Sequence, residues 1–568
     1  MNIVGRILSY LVPFKKRIFF AVIVLIIAIS IGFLQPLVIQ RITDIGMVQK
    51  NMNAIFQAAV FLGFLVILNQ LIEMLQTKIF VEIHNQSLYS IFHQTFQKLI
   101  HLKRSYFDDK NTTEILNFLQ MDVLQVASIT DRYVVVCLSY IFRIVSGLIG
   151  LCIISWKLAL VVLAMVPIKF LLVSYLSKRR KLATDEMIES SRAFSRWFGD
   201  NLNGIDEIKL WNLFLEKDRE FQEKQSKLLN SEKKGTLIDA WNVFWESILE
   251  WGITILLYIL GGAFICTGSL TIGAAFAFIS YSGYVTGPVS ALLNLKMYFA
   301  RIIPSAKRLF QFLDMEVEED TGTKILEKNL PKIEFKNVGF SYDKARCILK
   351  DVNFFANSGE KIAIIGQNGS GKTTILNLLL RFYEPDQGAI LVDGIDIREI
   401  QLKDLRDLFA VVSQDPYLFL GGIEENINLS KKFNQQQISL AMKASGVSEF
   451  MRRMSDEDKK QIGQNGARLS GGEKQKIAVA RALLKDAPII ILDEATANFD
   501  VESDQYLHNI IVNEMKNKTV IMITHHYENL QGMDRVYRLE NGKTMEYQGN
   551  LISVSYTHLR AHETGRNL

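Results

Sequence analysis

The sequence predicts an α-helical transmembrane domain of six helices with long cytoplasmic extensions, fused to an α/β domain built around a phosphate-binding loop (P-loop). Three observations predict it. Six apolar runs fall within the first three hundred of 568 residues. The links between them alternate between long, basic stretches and very short ones. Beyond them, "KIAIIGQNGSGKTTILNLLL" reads as a strand, a glycine loop and a helix. Hydrophobic residues make up 49% of the chain and the mean hydropathy is +0.15, high for a soluble protein, with the excess confined to the first part. The net charge of +5 reflects Lys and Arg concentrated beside the apolar runs, where membrane topology requires them. No nucleic-acid partner is therefore expected.

The six spans are placed at 18–39, 54–75, 133–155, 158–176, 243–266 and 272–293. Each is near the twenty residues that cross about 30 Å of hydrocarbon. The first follows Lys15-Lys16-Arg17 and is long enough to stay in the bilayer, so no cleaved leader is expected. The links carrying "SKRRK" and "EKKG" are long and basic, whereas "SWK" and "TGSLT" are short. That asymmetry puts the long links and both termini in the cytoplasm. A soluble protein with buried core helices would show no such charge bias.

The long links are themselves helical in pattern, as in "LYSIFHQTFQKLIHL" and "AFSRWFGDNLNGIDEIKLWNLFL", so helices two to five should continue into the cytoplasm. "SAKRLFQFLDMEVEED" reads as an exit helix running into an acidic linker. The domains expected are thus a membrane domain at 1–310, a linker at 311–330 and a soluble domain at 331–552, opening with the alternating strand "KIEFKNVGFSY". Cys137, Cys152, Cys266 and Cys347 are scattered, which predicts inert thiols rather than a disulfide or zinc framework. The tail at 553–568 fits neither domain. It resembles a translated sequencing adapter, the alternative being an ordinary disordered terminus.

The P-loop comprises Gly366, Gln367, Asn368, Gly369, Ser370, Gly371, Lys372, Thr373 and Thr374. Its glycines let backbone N–H groups turn toward phosphate oxygens, and the following helix adds its positive end. Lys372 is placed to neutralise the terminal phosphates of ATP and Thr373 to offer a hydroxyl to Mg²⁺. About 120 residues later, "APIIILDEAT" is a buried strand ending in Asp493, a direct or indirect magnesium partner, and Glu494, a carboxylate able to orient and deprotonate water. "LSGGEKQ" opens a helix predicted at 473–485. Ser470 with the N–H groups of Gly471 and Gly472 makes a second phosphate-seeking helix end.

This ordered set resembles the ABC transporter family, specifically a bacterial exporter half-transporter in which a membrane domain and a P-loop NTPase domain of ABC type share one chain. The resemblance covers residues 1–550. It implies that Tyr342 in "GFSYD" stacks on adenine and that Gln414 in "VVSQDPYLF" senses magnesium and contacts the membrane domain. Ser470 and Gly472 match the signature, Asp500 the D-loop aspartate, and His525 in "IMITHH" the switch histidine on the terminal phosphate. "YFDDKNTTEILNFLQMDV" and "NLNGIDEIKLWNLFLEKDREF" are similar to the two coupling-helix regions. The chain departs from the family at "ATANFD", at "GQNG" before the signature, and at Lys476 where Arg is usual. It shows no N-terminal peptidase domain.

The family works with two membrane halves and two nucleotide domains, so the resemblance implies a second half-transporter as partner. All the catalytic motif residues are intact, which favours a homodimer over a heterodimer. The expected location is the bacterial inner membrane, with membrane lipids as surroundings and the nucleotide domain cytoplasmic. Arg143 and Lys169 lie inside apolar runs and are candidates for a cavity or an ion pair; Glu246 and Glu250 are possible partners. Trp241, Trp245 and Trp251 suit either a hydrophobic site or the membrane interface. The expected function is ATP-driven export of an amphipathic lipid, drug or peptide. The rivals are an ATP-gated channel on the same fold and a soluble DNA-repair or chromosome ATPase, which would lack the spans.

Overall fold

The computed structural model describes residues 3–108, 110, 112–130, 132–325, 331–343, 347–494, 517–525, 530 and 532–547. Asp500 and the tail at 553–568 lie outside them. The chain divides into two compact units, Met1–His101 with Lys110–Glu316, and Leu102–Asp109 with Val317–Leu568.

The helices up to residue 313 are α1 (Ile3–Ser9), α2 (Lys15–Arg41), α3 (Met52–Ile100), α4 (Ser105–Asp108), α5 (Thr112–Ala127), α6 (Arg132–Asn203), α7 (Ile205–Leu210), α8 (Phe214–Cys266), α9 (Ile272–Thr286) and α10 (Pro288–Leu313). Among the described residues, four stretches are long and apolar enough to cross a membrane: Gly5–Val48, Met52–Ile100, Cys137–Asn203 and Phe214–Cys266. Helices α3 and α8 have 49 and 53 residues. At 1.5 Å per residue each runs for more than 70 Å, over twice the hydrocarbon thickness, so the expected extensions are present. The short helices α4 and α7 fall within the two segments expected to couple the domains.

The third and fourth spans meet within α6 at Ser155, where φ is −160° and ψ 106°, which is where the third span was expected to end. The Ser155 hydroxyl accepts the Leu158 N–H at 3.5 Å, so one residue ends a helix and caps the next. The sixth is cut at Gly287 into α9 and α10, with Pro288 opening α10, because proline has no N–H for the preceding turn.

Helices α6 and α8 pair along much of their length. Lys169 meets Glu250 at 2.5 Å, Arg180 meets Asp239 at 2.6 Å and Lys234 meets Glu186 at 2.8 Å. The Ser190 and Ser231 hydroxyls are 3.2 Å apart, and the Trp197 indole donates to Glu220 at 2.7 Å. The paired numbers rise on one helix as they fall on the other, as in-register antiparallel helices require. Against α9, α6 presents Gly150: a Cβ there would lie 2.8 Å from the Tyr281 ring, so only glycine allows this approach. Asp44 caps α9 by accepting the Gly273 N–H at 2.8 Å and the Thr271 hydroxyl at 2.7 Å. Asp122 of α5, nearly fully buried, is gripped by both ends of the Arg308 guanidinium from α10.

The second unit holds a ten-stranded sheet in the order β5-β4-β1-β2-β10-β9-β3-β8-β7-β6. The strands are β1 (Ile333–Ser341), β2 (Cys347–Ala356), β3 (Lys361–Ile365), β4 (Gln387–Val392), β5 (Ile395–Asp396), β6 (Phe409–Val412), β7 (Ile489–Asp493), β8 (Thr519–Thr524), β9 (Arg535–Glu540) and β10 (Lys543–Glu546). Strands β3, β6, β7, β8 and β9 run parallel. Of these, β3, β6, β7 and β8 read as near-continuous apolar runs because they are covered on both faces, whereas β9 carries Arg535, Arg538 and Glu540 among its apolar residues. The register pairs Ile365 with Thr524 and Asp493 with Ile523. The carboxyl ends of β3, β7 and β8 therefore lie side by side, the place where open α/β sheets bind ligands.

Candidate nucleotide site

The P-loop follows β3 and runs into α11 (Lys372–Leu379). Gly369 and Gly371 adopt φ of +79° and +106°, a region closed to most side chains. A Cβ on Gly371 would also lie 2.8 Å from Leu349. Gln367, Asn368 and Gly369 are exposed, as is Thr373, the second residue of α11. Lys372 is buried. Its ammonium donates to the Gly366 and Gln367 carbonyls at 2.8 and 3.2 Å, bending back over the loop. The Ser370 hydroxyl is buried without a partner among the described residues. Left-handed glycines, an inward lysine and an orphaned hydroxyl together fit an occupant rich in acceptor oxygens, as a phosphate group is.

Around Lys372 the strand ends supply the acids. Glu494 Oε1 stands 3.6 Å from Lys372 Nζ and 3.0 Å from His525 Nδ1. Glu494 itself sits at φ +47°, an uncommon conformation for its type, and its N–H donates to the Ile523 carbonyl of β8 at 2.9 Å. The strand thus turns abruptly after Asp493 and delivers two consecutive carboxylates to one place. Burial, reinforced by the neighbouring Glu494 and opposed by Lys372, pushes the Asp493 carboxyl up to about 6.

Tyr342 is half-exposed beside this cradle. Its hydroxyl lies 3.2 Å from Thr374 Oγ1, and its ring makes edge contacts with Phe340 and Tyr383 at 4.9 and 5.0 Å. Its aromatic body is fixed to the first turn of α11 while leaving surface for a flat ligand. Gln414 is exposed, and its backbone carbonyl accepts from Gln475 Nε2 at 3.2 Å. Gln475, fully buried on the helix Gly471–Lys485, is a residue the sequence reading passed over. It ties the signature helix to the Gln414 segment, and its position on the apolar face with Ala478, Val479 and Ala482 was the available signal.

The signature helix begins at Gly471, two residues earlier than expected. Ser470 is its N-cap in a reciprocal capping box. The Ser470 hydroxyl lies 3.3 Å from the Glu473 N–H and donates to Glu473 Oε2 at 2.9 Å, while the Ser470 N–H donates to the same oxygen at 2.8 Å. Ser470 is held in this box rather than in the Lys372–Glu494–His525 network, with Gly471 exposed at the helix start. None of the four cysteines is in a disulfide.

In the membrane unit, Lys169 pairs with Glu250, whereas Arg143 stands 3.8 Å from Glu73, a carboxylate the sequence reading had not singled out. The Glu246 carboxylate accepts from Asn242 at 3.0 Å instead. Trp241, Trp245 and Trp251 are all exposed.

Residues 349–497 match the family described as ABC transporter, and residues 18–289 match the ABC transporter transmembrane region. An ATP-dependent lipid A-core flippase of Idiomarina loihiensis is 30% identical over 95% of this chain and 94% of its own length. An uncharacterized ABC transporter ATP-binding protein, YfiC, of Bacillus subtilis is 29% identical over 95% of this chain and 90% of its own. A solved structure of a bacterial Atm1-family ABC exporter with ATP bound superposes with a TM-score of 0.78 at 21% identity, covering 97% of this chain and 99% of that one. The fold is therefore that of a helical transmembrane domain fused to an ABC nucleotide-binding domain. With apolar helices, an ATP-binding domain and full-length relatives in hand, the chain belongs to the ABC transporter family: a bacterial exporter-type half-transporter, an ATPase coupled to transport, spanning the inner membrane several times with its nucleotide domain in the cytoplasm.

Proposed function

We propose that the chain works as a homodimer that moves an amphipathic, lipid-like substrate out of the cytoplasm or inner leaflet by alternating access. The observation that carries the ATP-driven step is the convergence of Lys372, Glu494 and His525 at the ends of three neighbouring strands. Lys372 and the P-loop N–H groups bind the phosphates of ATP, and Tyr342 offers its ring to the base. Glu494 orients and deprotonates the attacking water, held in place by His525. Thr373, Asp493 and Gln414 are the groups that would hold Mg²⁺, a cation usually bound by one or two carboxylates together with phosphate oxygens. A cation there also favours the ionised form of Asp493. The Ser470–Gly472 turn closes over nucleotide held by the partner's P-loop, and Asp500, outside the described residues, keeps the D-loop role that the resemblance implies. The lipid preference is supported by the flippase names of the relatives.

The test is Glu494→Gln in the purified chain in liposomes. Steady-state ATP hydrolysis should fall by about a hundredfold or more, while ATP-dependent cross-linking between Ser370→Cys of one protomer and Ser470→Cys of the other persists. Near-normal turnover, or cross-links formed only within single chains, would contradict the assignment.

A further inference from the structure

Within the membrane unit, helices α2, α3, α6 and α9 enclose a cavity of about 430 Å³, within the range of small-ligand sites. Its lining is polar for a place so deep in apolar helices. Gln35, Asn69, Gln70 and Gln76 bring side-chain amides, and Ser146 and Tyr284 bring hydroxyls. Among the described residues that line it, Glu73 and Arg143 alone carry charge.

These two charges stand 3.8 Å apart, looser than a closed ion pair, and both keep a third or more of their side chains exposed. Asn69 donates to Glu73 Oε1 at 3.2 Å and fixes the carboxylate from its own helix. The Tyr284 hydroxyl donates to the Gly32 carbonyl at 3.2 Å, tying α9 to α2 across the cavity. The lining is therefore neutral overall but strongly dipolar, with its positive end on α6 and its negative end on α3.

Charge arithmetic decides what such a pocket favours. A polyanion meets one guanidinium already balanced by Glu73, and gains Arg143 only by facing the carboxylate as well. A cation meets the mirror-image problem. A ligand with one anionic and one cationic group close together can set its acid on Arg143 and its ammonium on Glu73. The four charges then alternate in sign, and no charge is left unpaired in a low-dielectric site. The surrounding amides supply both donors and acceptors for a polar connector.

Resting on the export function proposed above, we propose that this cavity selects a zwitterionic polar group of net charge zero, rather than an anionic one. The chemistry is shared by a phosphoethanolamine lipid head and by a free peptide bearing both termini.

The experiment uses the full chain in liposomes, reading ATPase stimulation together with the site of photolabelling. One arm compares photoreactive phosphatidylethanolamine with phosphatidic acid and with a trimethylammonium diacyl lipid. The other compares photoreactive trialanine with its N-acetylated, anionic form and its C-amidated, cationic form. In the arm that holds the cargo, the zwitterion should be preferred by about tenfold over either singly charged analogue, with label on α3 or α6. Glu73→Gln should move the preference to the anion and Arg143→Gln to the cation. Because the two variants shift in opposite directions, a folding defect cannot mimic the pattern. An anion ranked first by the native chain, or a rank order unchanged by both variants, would overturn the inference while leaving export standing. No stimulation or labelling by any probe would overturn it together with the amphipathic-substrate function.

Discussion

Lys169 and Arg143 give the same sequence signal, a cation inside an apolar run, yet the structure assigns them to different circumstances. Lys169 is 1% exposed and meets Glu250 at 2.5 Å, whereas Arg143 is 45% exposed and stands 3.8 Å from Glu73 beside a cavity. The tight pair is a fixed cross-link between α6 and α8. The loose pair faces open volume, where a ligand can rearrange it. Burial and closeness, rather than the presence of charge, separate a brace from a binding group.

The contrast can be tested by removing one charged partner at a time. The largest effect is expected for Glu250→Ala, which strands the buried Lys169 ammonium and should cost about 3–5 kcal/mol. The measurement is thermal or denaturant unfolding of the detergent-solubilised chain. The double change Lys169→Met with Glu250→Leu should restore most of that loss, and a double variant as weak as the single one would refute the brace. Asp122→Asn comes next, at about 1–3 kcal/mol, because it leaves the Arg308 guanidinium facing a nearly buried amide. The smallest effect belongs to Lys234→Ala, whose partner Glu186 is as exposed as a surface residue; a change of about 0.5 kcal/mol or less is expected. If all three proved equal, exposure would not be what distinguishes these pairs.

Local patterns pointed to most of the candidate nucleotide site. A glycine loop between strand and helix, and an apolar strand ending in two acids, place Lys372, Asp493 and Glu494 almost without tertiary information. Helix length beyond the bilayer was legible for the same reason, since apolar spacing repeats over each extension. What escaped notice depends on register between elements. Glu73 is an ordinary helical acid until α3 and α6 are set side by side. Gln475 gains meaning only when its helix meets the Gln414 segment. The break at Ser155, by contrast, was legible, since it falls where the short link "SWK" divides two apolar runs. The Ser470 capping box is legible too, with Glu473 three residues on, a plainer use of the same serine than phosphate binding.

The polar ladder between α6 and α8 also has a mechanical meaning. From Lys169 to Trp197 it runs for about 40 Å along α6, with rungs of charge, hydroxyl and indole at intervals. Sliding one helix against the other would unmake every rung together, whereas moving both as a body unmakes none. A push delivered at the end nearest α7 should therefore arrive at Lys169 hardly diminished, as through a stiff double rod rather than a pair of flexible cables.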